Sequence, residues 1–326
     1  MKVVSTSPSF AKYSNEPIEY LQKHGLELVH LPADISEDEL IKNLKDADAA
    51  IVAFSEINSR VLGQAPALKI VCKHGVGVDN IDLDAAREKN VWVTNVTNAN
   101  MHAVADFSFG LMLALARQIP QADYLTKQGQ WPRVFGTDVF GKSVGIIGLG
   151  AIGREVARRA KGFGMDILAY DPFPNREYAE QNHIKLVELD ELFKSSDFIT
   201  LHLPLTEQTN GLVGKRQFEM MKNSAFLVNA SRGGIVVEED LYQALKNGDI
   251  AGAALDVFVE EPLKKHPLFE LPNFIAMPHI AGYTDGAVNA LGMTCVKNIV
   301  EVLVHQNKPQ FVVNGLDEVV VLSSKK

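Results

Sequence analysis

Three polar residues stand directly after short apolar runs, and their types suit anion binding and proton transfer. Arg232 lies in Asn229-Ala230-Ser231-Arg232-Gly233-Gly234, and Glu261 sits near the end of Asp256-Val257-Phe258-Val259-Glu260-Glu261-Pro262. His279 belongs to Met277-Pro278-His279-Ile280-Ala281-Gly282. In a parallel α/β sheet the carboxyl ends of the strands open onto the crevice where ligands bind, so these positions predict one site. The planar guanidinium of Arg232 matches a carboxylate bidentately, which a lysine does not. Histidine is the natural proton-transfer group near neutral pH. A carboxylate such as Glu261 would orient the ring and favour its imidazolium form.

A fourth feature offers a place for a large anionic ligand. Val144 to Ile147 reads as a strand, enters Gly148-Leu149-Gly150-Ala151-Ile152-Gly153, and gives way to a helix from Ile152 to Phe163. A second apolar run, Ile167 to Tyr170, ends on Asp171, eighteen residues past Gly153. Strand, glycine turn, helix, strand and acidic residue form a dinucleotide-binding unit. Gly148 permits the turn, Gly150 lets the backbone approach a pyrophosphate, and Gly153 allows close helix–strand packing. The N–H groups opening the helix point at that pyrophosphate. Asp171 would accept from a ribose 2′-hydroxyl and repel a 2′-phosphate, and Pro172-Phe173-Pro174 brings no cation beside it. NAD is therefore expected rather than NADP, with Arg176 the nearby residue that could moderate the preference.

Together these groups describe one reaction. Nicotinamide exchanges a hydride with C2 of a 2-hydroxy acid whose carboxylate is held by Arg232. His279 moves the hydroxyl proton, and Glu261 orients it. Lys73-His74-Gly75-Val76-Gly77-Val78-Asp79 adds a glycine turn that can present backbone N–H groups to an anion. The chemistry needs no metal, and no metal-ligand spacing is present.

The elements that position these groups alternate strand and helix throughout. Over residues 1–98 the strands are expected at Val3-Val4, Leu26 to Leu31, Ala49 to Phe54, Leu68 to Cys72 and Val91 to Val93. Helices fall between them, one over Glu37 to Leu44 with Ser36 as cap and Glu39 three residues later. Thr94 to Asn100 is a polar linker. A helix from Met101 to Ile119 is expected to stop before Pro120, with another over Gln121 to Gln128. Past Asp171, strands are expected at Phe198 to Leu201, Ala225 to Val228, Ala253 to Leu255 and Phe274 to Ala276. A helix over Glu238 to Lys246 lies among them, and a long one follows over Asp285 to His305. The runs are short and continuous, as buried parallel strands are.

At 326 residues the chain is long for one core, so two domains are expected. The fold class is α/β, with two doubly wound parallel sheets. The cofactor domain over 99–287 is inserted in a substrate domain of 1–98 and 288–326. A net charge of −8 without a basic block argues against nucleic-acid binding. No run is long enough to span a bilayer and no signal-peptide pattern opens the chain. The two cysteines, Cys72 and Cys295, are far apart in sequence and suit a reducing cytoplasm.

The motifs resemble those of the D-isomer-specific 2-hydroxyacid dehydrogenase family along essentially the full chain. The match runs through HGVGVDNID (74–82), GLGAIG (148–153), HLPLT (202–206), NASRGGIV (229–236), ALDVFVEEP (254–262) and PHIAG (278–282). The resemblance implies a Rossmann NAD-binding domain inserted in a flavodoxin-like substrate domain, with Arg232, Glu261 and His279 catalytic. It places Gly148, Gly150, Ala151, Ile152, Gly153, Asp171, Pro172, His202, Pro204, Thr206, Ala230, Ser231, Asp256 and Gly282 around NAD. Lys73, His74, Gly75, Val76 and Gly77 then stand around the substrate with Arg232 and His279, and a homodimer forms through the cofactor domain, served by 99–140.

GVGVDNID and VVNGLDEV look most like the 3-phosphoglycerate dehydrogenase branch. That branch commonly binds phosphate with an arginine after the third strand, where this chain has Val52-Ala53-Phe54-Ser55-Glu56. Phosphorylated and unphosphorylated acids both stay open. Formate dehydrogenases carry glutamine where Glu261 stands. Some relatives of a different class are NAD-sensing transcriptional corepressors, which a keto-acid panel with NADH would separate from an enzyme.

Overall fold

The computed structural model describes residues 1–317. Residues 318–326, with the end of the VVNGLDEV run and of the segment expected over 288–326, lie outside the described residues. The chain divides into two compact units, Met1–Asn100 with the chain from Tyr283 onward, and Met101–Gly282.

The first unit begins with β1 (Lys2–Ser5), α1 (Glu16–Lys23), β2 (Glu27–His30), α2 (Glu37–Leu44) and β3 (Ala49–Val52). It continues with α3 (Ser59–Gly63), β4 (Ile70–Lys73), α4 (Leu83–Glu88) and β5 (Trp92–Thr94). All five strands are parallel, in the order β2-β1-β3-β4-β5. β1, β3 and β4 are buried along nearly all their length, which explains their unbroken apolar sequence. Ser36 caps α2 by accepting the Glu39 N–H at 3.3 Å.

The second unit opens with α5 (Met101–Ala116) and α6 (Ile119–Lys127), then β6 (Ser143–Ile147), α7 (Ala151–Gly162) and β7 (Asp166–Tyr170). α8 (Arg176–Gln181), β8 (Lys185–Leu186), α9 (Leu189–Ser195) and β9 (Phe198–Leu201) follow. The unit closes with α10 (Lys215–Met220), β10 (Phe226–Asn229), α11 (Glu238–Asn247), β11 (Gly252–Leu255) and β12 (Phe274–Ala276). Its seven strands are parallel in the order β12-β11-β10-β9-β6-β7-β8. Successive connections leave β6 in opposite directions, so the switch point lies between β6 and β9. Core clusters cover both faces of this sheet.

One expected boundary is displaced. α5 ends at Ala116, three residues before the stop read from Pro120, and Gln118 adopts a left-handed conformation at φ 50°. Pro120 instead sits in the first turn of α6, where its missing N–H has no helical partner to lose. The short helices α3, α8, α9 and α10 and the two-residue β8 had no clear periodicity in the sequence.

After the second unit, α12 (Asp285–Leu303) rejoins the first. Leu291, Cys295, Val296, Ile299, Val300 and Leu303 pack with Val3, Ile51, Ile70 and Cys72 in one core. The two cysteines, remote in sequence, thus meet in this core as free thiols, with Cys72 Sγ 3.6 Å from the Cys295 carbonyl oxygen. Among the described residues no helix is long and apolar enough to cross a membrane.

α5 packs on α7, and a surface network joins them. Glu155 accepts from Arg158 Nε and from Arg159 Nη1, each at 2.9 Å, and pairs with His102 at 3.0 Å. Burial works against the Glu155 charge, but hydrogen bonds from Arg158 and Arg159 outweigh it, together with the charges of Arg158 and His102. They hold the carboxyl down from its usual 4.5 to about 2. A depressed folded value gives stabilisation that is complete above about pH 4.5 and is lost as pH falls towards 2. Glu155→Gln is therefore expected to flatten the fall in melting temperature across this window. Parallel curves for parent and variant would remove the linkage.

Candidate active site

Asp256, Glu261 and His279 come together in the second unit at the carboxyl ends of β11 and β12. His279 Nδ1 lies 2.7 Å from Glu261 Oε2, and the Phe258 N–H donates to the other oxygen, Oε1, at 2.8 Å. Burial acts against the Glu261 charge. The hydrogen bond and charge of His279 outweigh it, followed by the Phe258 N–H and the nearby Arg232 charge, so the carboxyl lies below its ordinary range. With Nδ1 directed at a carboxylate, the ring carries a proton there.

His279 adopts a left-handed backbone conformation, φ 56°, which is uncommon for a residue with a side chain. The cause is the next two residues. Ile280 N–H and Ala281 N–H donate to Asp256 Oδ1 and Oδ2 at 2.9 and 2.8 Å. Asp256 is fully buried, and its desolvation raises the carboxyl against the pull of these bonds and of His279. Expected near the cofactor, Asp256 spends both oxygens on backbone and so sets the turn that aims His279.

Arg232 follows β10 in a turn shaped by a residue the sequence reading gave no role. Asn229, 1% exposed, accepts from the Ser231 N–H at 3.0 Å and the Ser231 hydroxyl at 2.7 Å. Its Nδ2 donates to the Arg232 carbonyl at 2.9 Å. A buried asparagine at the last position of an apolar strand was the available signal. Arg232 Nη1 donates to the Ser231 carbonyl at 2.6 Å, which ties one guanidinium nitrogen back to the turn.

The dinucleotide turn lies at the switch point. Gly148 has φ +94°, and a Cβ there would meet the His202 carbonyl beyond β9. A Cβ at Gly153 would collide with the Gly148 carbonyl, so only glycine lets α7 sit this close to β6. Around Gly150, by contrast, the Cβ position is open, and α7 starts there without a side-chain cap. Asp171 accepts from the Leu149 and Phe173 N–H groups, each at 2.8 Å, which ties the acidic residue to the turn. An open approach at the start of a twelve-residue helix, with a carboxylate at the next strand end, fits a dinucleotide. Ala230, Ala281, Val104, Phe107 and Ile152 form a small apolar cluster nearby. His202 is neutral, its imidazole pulled to about 3 by burial, with Nε2 2.9 Å from the Thr200 hydroxyl. Thr206 and Pro204 belong to a turn closed by Thr209, whose hydroxyl donates to the Pro204 carbonyl at 2.7 Å.

In the first unit, the structure commits Lys73 and His74 internally. Lys73 Nζ donates to the Ala53 carbonyl and, at 2.5 Å, to Asn80 Oδ1. His74 is buried with Nδ1 2.9 Å from the Ser7 hydroxyl. Burial lowers its imidazole to about 4, aided by the Lys73 charge and opposed by a hydrogen bond to the Val288 backbone. Val76 is exposed, and its carbonyl accepts from Asn95 Nδ2 at 2.7 Å. Among the described residues no group of three or more His, Cys, Asp or Glu side chains could hold a metal.

Residues 109–281 match the family model of the D-isomer specific 2-hydroxyacid dehydrogenase NAD binding domain, so NAD is the cofactor of the second unit. A D-3-phosphoglycerate dehydrogenase of Archaeoglobus fulgidus is 45% identical over 304 residues, covering 92% of this chain. The chain spans 57% of that relative's length. A glyoxylate reductase of Thermococcus gammatolerans is 41% identical over 87% of this chain and 88% of its own. The apo-structure of D-lactate dehydrogenase from Escherichia coli superposes with a TM-score of 0.84 at 28% identity, covering 95% of this chain and 99% of that one. Site and similarity agree, and the chain belongs to the D-isomer specific 2-hydroxyacid dehydrogenase family.

Proposed function

We propose that the protein interconverts a D-2-hydroxy acid and its 2-keto acid, with Arg232, Glu261 and His279 performing the chemistry. The observation that carries this reading is the 2.7 Å contact between His279 and Glu261 at the carboxyl ends of the strands. NAD, bound at the glycine turn, supplies the hydride exchange at C2. Arg232 holds the substrate carboxylate through two parallel N–H bonds. In reduction His279 gives its Nε2 proton to the keto oxygen, because Nδ1 is held by Glu261. The Glu261 carboxylate stabilises the imidazolium beforehand and keeps the ring aligned afterwards. In oxidation the neutral ring takes the hydroxyl proton at the same nitrogen.

The substrate we favour is a small unphosphorylated 2-keto acid, of glyoxylate or hydroxypyruvate size. Lys73 is committed to Ala53 and Asn80, and Ala53 to Glu56 contains no arginine to meet a phosphate. The match across 88% of a glyoxylate reductase supports the same side. D-3-phosphoglycerate is the second reading, favoured by the 45% identity to a dehydrogenase of that acid. A panel of glyoxylate, hydroxypyruvate, 3-phosphohydroxypyruvate, pyruvate, 2-oxoglutarate and branched keto acids, read by NADH oxidation, tests both. Turnover confined to the phosphorylated acid would overturn the first. No turnover despite tight NADH binding would indicate a sensor of the corepressor kind.

Asp171→Ala is expected to weaken NADH binding by about tenfold, since it removes charge-assisted hydrogen bonds. It should also narrow the preference for NAD over NADP. An unchanged ratio of the two dissociation constants would show that another residue reads the ribose. The protein also acts, in this reading, as a homodimer through the second unit, where Trp131, Phe135 and Phe140 are 82%, 89% and 79% exposed. A monomer mass by light scattering would remove that part.

A further inference from the structure

Glu261 projects from a loop with little packing of its own. Val259 is 69% exposed, and Glu260 and Pro262 are also exposed. What fixes this loop is a second carboxylate–histidine pair outside the site. Glu238 is the first residue of α11, and the buried Leu241, Ala244 and Leu245 root that helix in the core. Its Oε1 accepts from the Val259 N–H at 2.8 Å, and its Oε2 lies 3.3 Å from His266 Nε2.

The imidazole of His266 is itself constrained. Its Nδ1 accepts the Leu268 N–H at 3.3 Å, capping the 3-10 turn Pro267–Glu270. A nitrogen that accepts carries no proton, so the proton sits on Nε2, the ring nitrogen on the Glu238 side. One carboxylate thus bonds one end of the loop that carries Glu261 and faces the histidine at the other. The remaining face is closed by the β10 turn: a Cβ on Gly233 would run into the Phe258 carbonyl and the Val259 nitrogen. The Phe258 ring is buried against His266 and Phe269, at ring-centre distances of 6.3 and 5.9 Å. Phe258, immediately before the gripped Val259, donates its own N–H to Glu261.

We infer that Glu238 is a positioning residue, acting through Val259 and His266 to hold Glu261 in register with His279. The inference rests on Glu261 and His279 having the roles proposed above. Glu238 touches neither of them. It fixes the peptide next to the one whose N–H holds Glu261 Oε1, and it closes the loop at His266. An error of about an ångström in such a supporting shell is enough to cost up to about 100-fold in turnover.

The test compares Glu238→Ala and Glu238→Gln with the parent, using whichever keto acid of the panel is turned over. Loss of the grip should lower kcat by about tenfold or more in the alanine variant, with the NADH dissociation constant within about twofold of the parent. The acid limb of the kcat/KM profile should also move to higher pH, because a displaced Glu261 loses the His279 and Phe258 hydrogen bonds that hold its carboxyl low. The charged groups around Glu261 in that profile are His279, Asp256 and Arg232. The glutamine variant can still accept from Val259 but opposes an NH₂ to the His266 N–H, so it should fall between the two. If the alanine variant does not fold, the glutamine variant decides by the same readouts. A lower melting temperature with parental kcat and an unmoved profile would reduce Glu238 to a structural residue and overturn the inference. Retained turnover in His279→Ala would instead overturn the reading of the site itself, which keeps the two failures apart.

Discussion

Replacing His279 with alanine is expected to lower kcat by about 10²- to 10⁴-fold, the range that a positioned acid–base group supplies. NADH affinity should stay near the parent value, because the glycine turn and Asp171 lie on other strand ends. The distinction matters because His279 is held from two sides. Asp256 fixes the backbone through Ile280 and Ala281, and Glu261 fixes the ring through Nδ1. An alanine keeps the Asp256 bonds, which involve backbone only, and so removes the proton donor without dismantling the turn. Pre-steady-state mixing of enzyme, NADH and keto acid should show binding without hydride transfer. Parental turnover would exclude His279 as the donor.

Arg232→Ala is the second large effect expected, a loss of about 100-fold in kcat/KM for the keto acid, since two charge-assisted hydrogen bonds go together. Arg232→Lys should recover little, because an ammonium offers a point charge and not a planar fork. The substitution has a second consequence within the site. The Arg232 charge is one of the influences that hold the Glu261 carboxyl low. Its removal lets that carboxyl rise, so the acid limb of activity should move to higher pH. Steady-state kinetics across pH on both variants checks both points, and an unchanged KM and kcat would sink the assigned role.

The sequence made the site's chemistry legible because the reactive residues follow strands whose apolar runs are continuous. Val144 to Ile147, Phe198 to Leu201 and Phe274 to Ala276 could be read with little error, and each strand end then marks a place on the ligand face. Ser36 and its α2 cap were legible for the same local reason. What could not be read depends on contacts distant in the chain. The Glu238–His266 pair spans 28 residues, and neither residue lies in a recognisable motif. The inward commitment of Lys73 needed Ala53 and Asn80 to be placed beside it. The end of α5 was misread because proline forbids a helix interior but suits a first turn, and only tertiary packing chooses between them.

The division of the chain also governs the order in which its parts can form. Met101–Gly282 is continuous, so its sheet and both core clusters can be completed from one uninterrupted stretch. The other unit cannot do the same, because α12 contributes six buried or nearly buried apolar side chains to the core around Val3, Ile51 and Ile70. During synthesis from the amino terminus, its five strands emerge first but lack that helix until the whole inserted unit has been made. The strands β1 to β5 are therefore made before the inserted unit but fully covered only after it, and the cofactor-binding part can stand alone sooner.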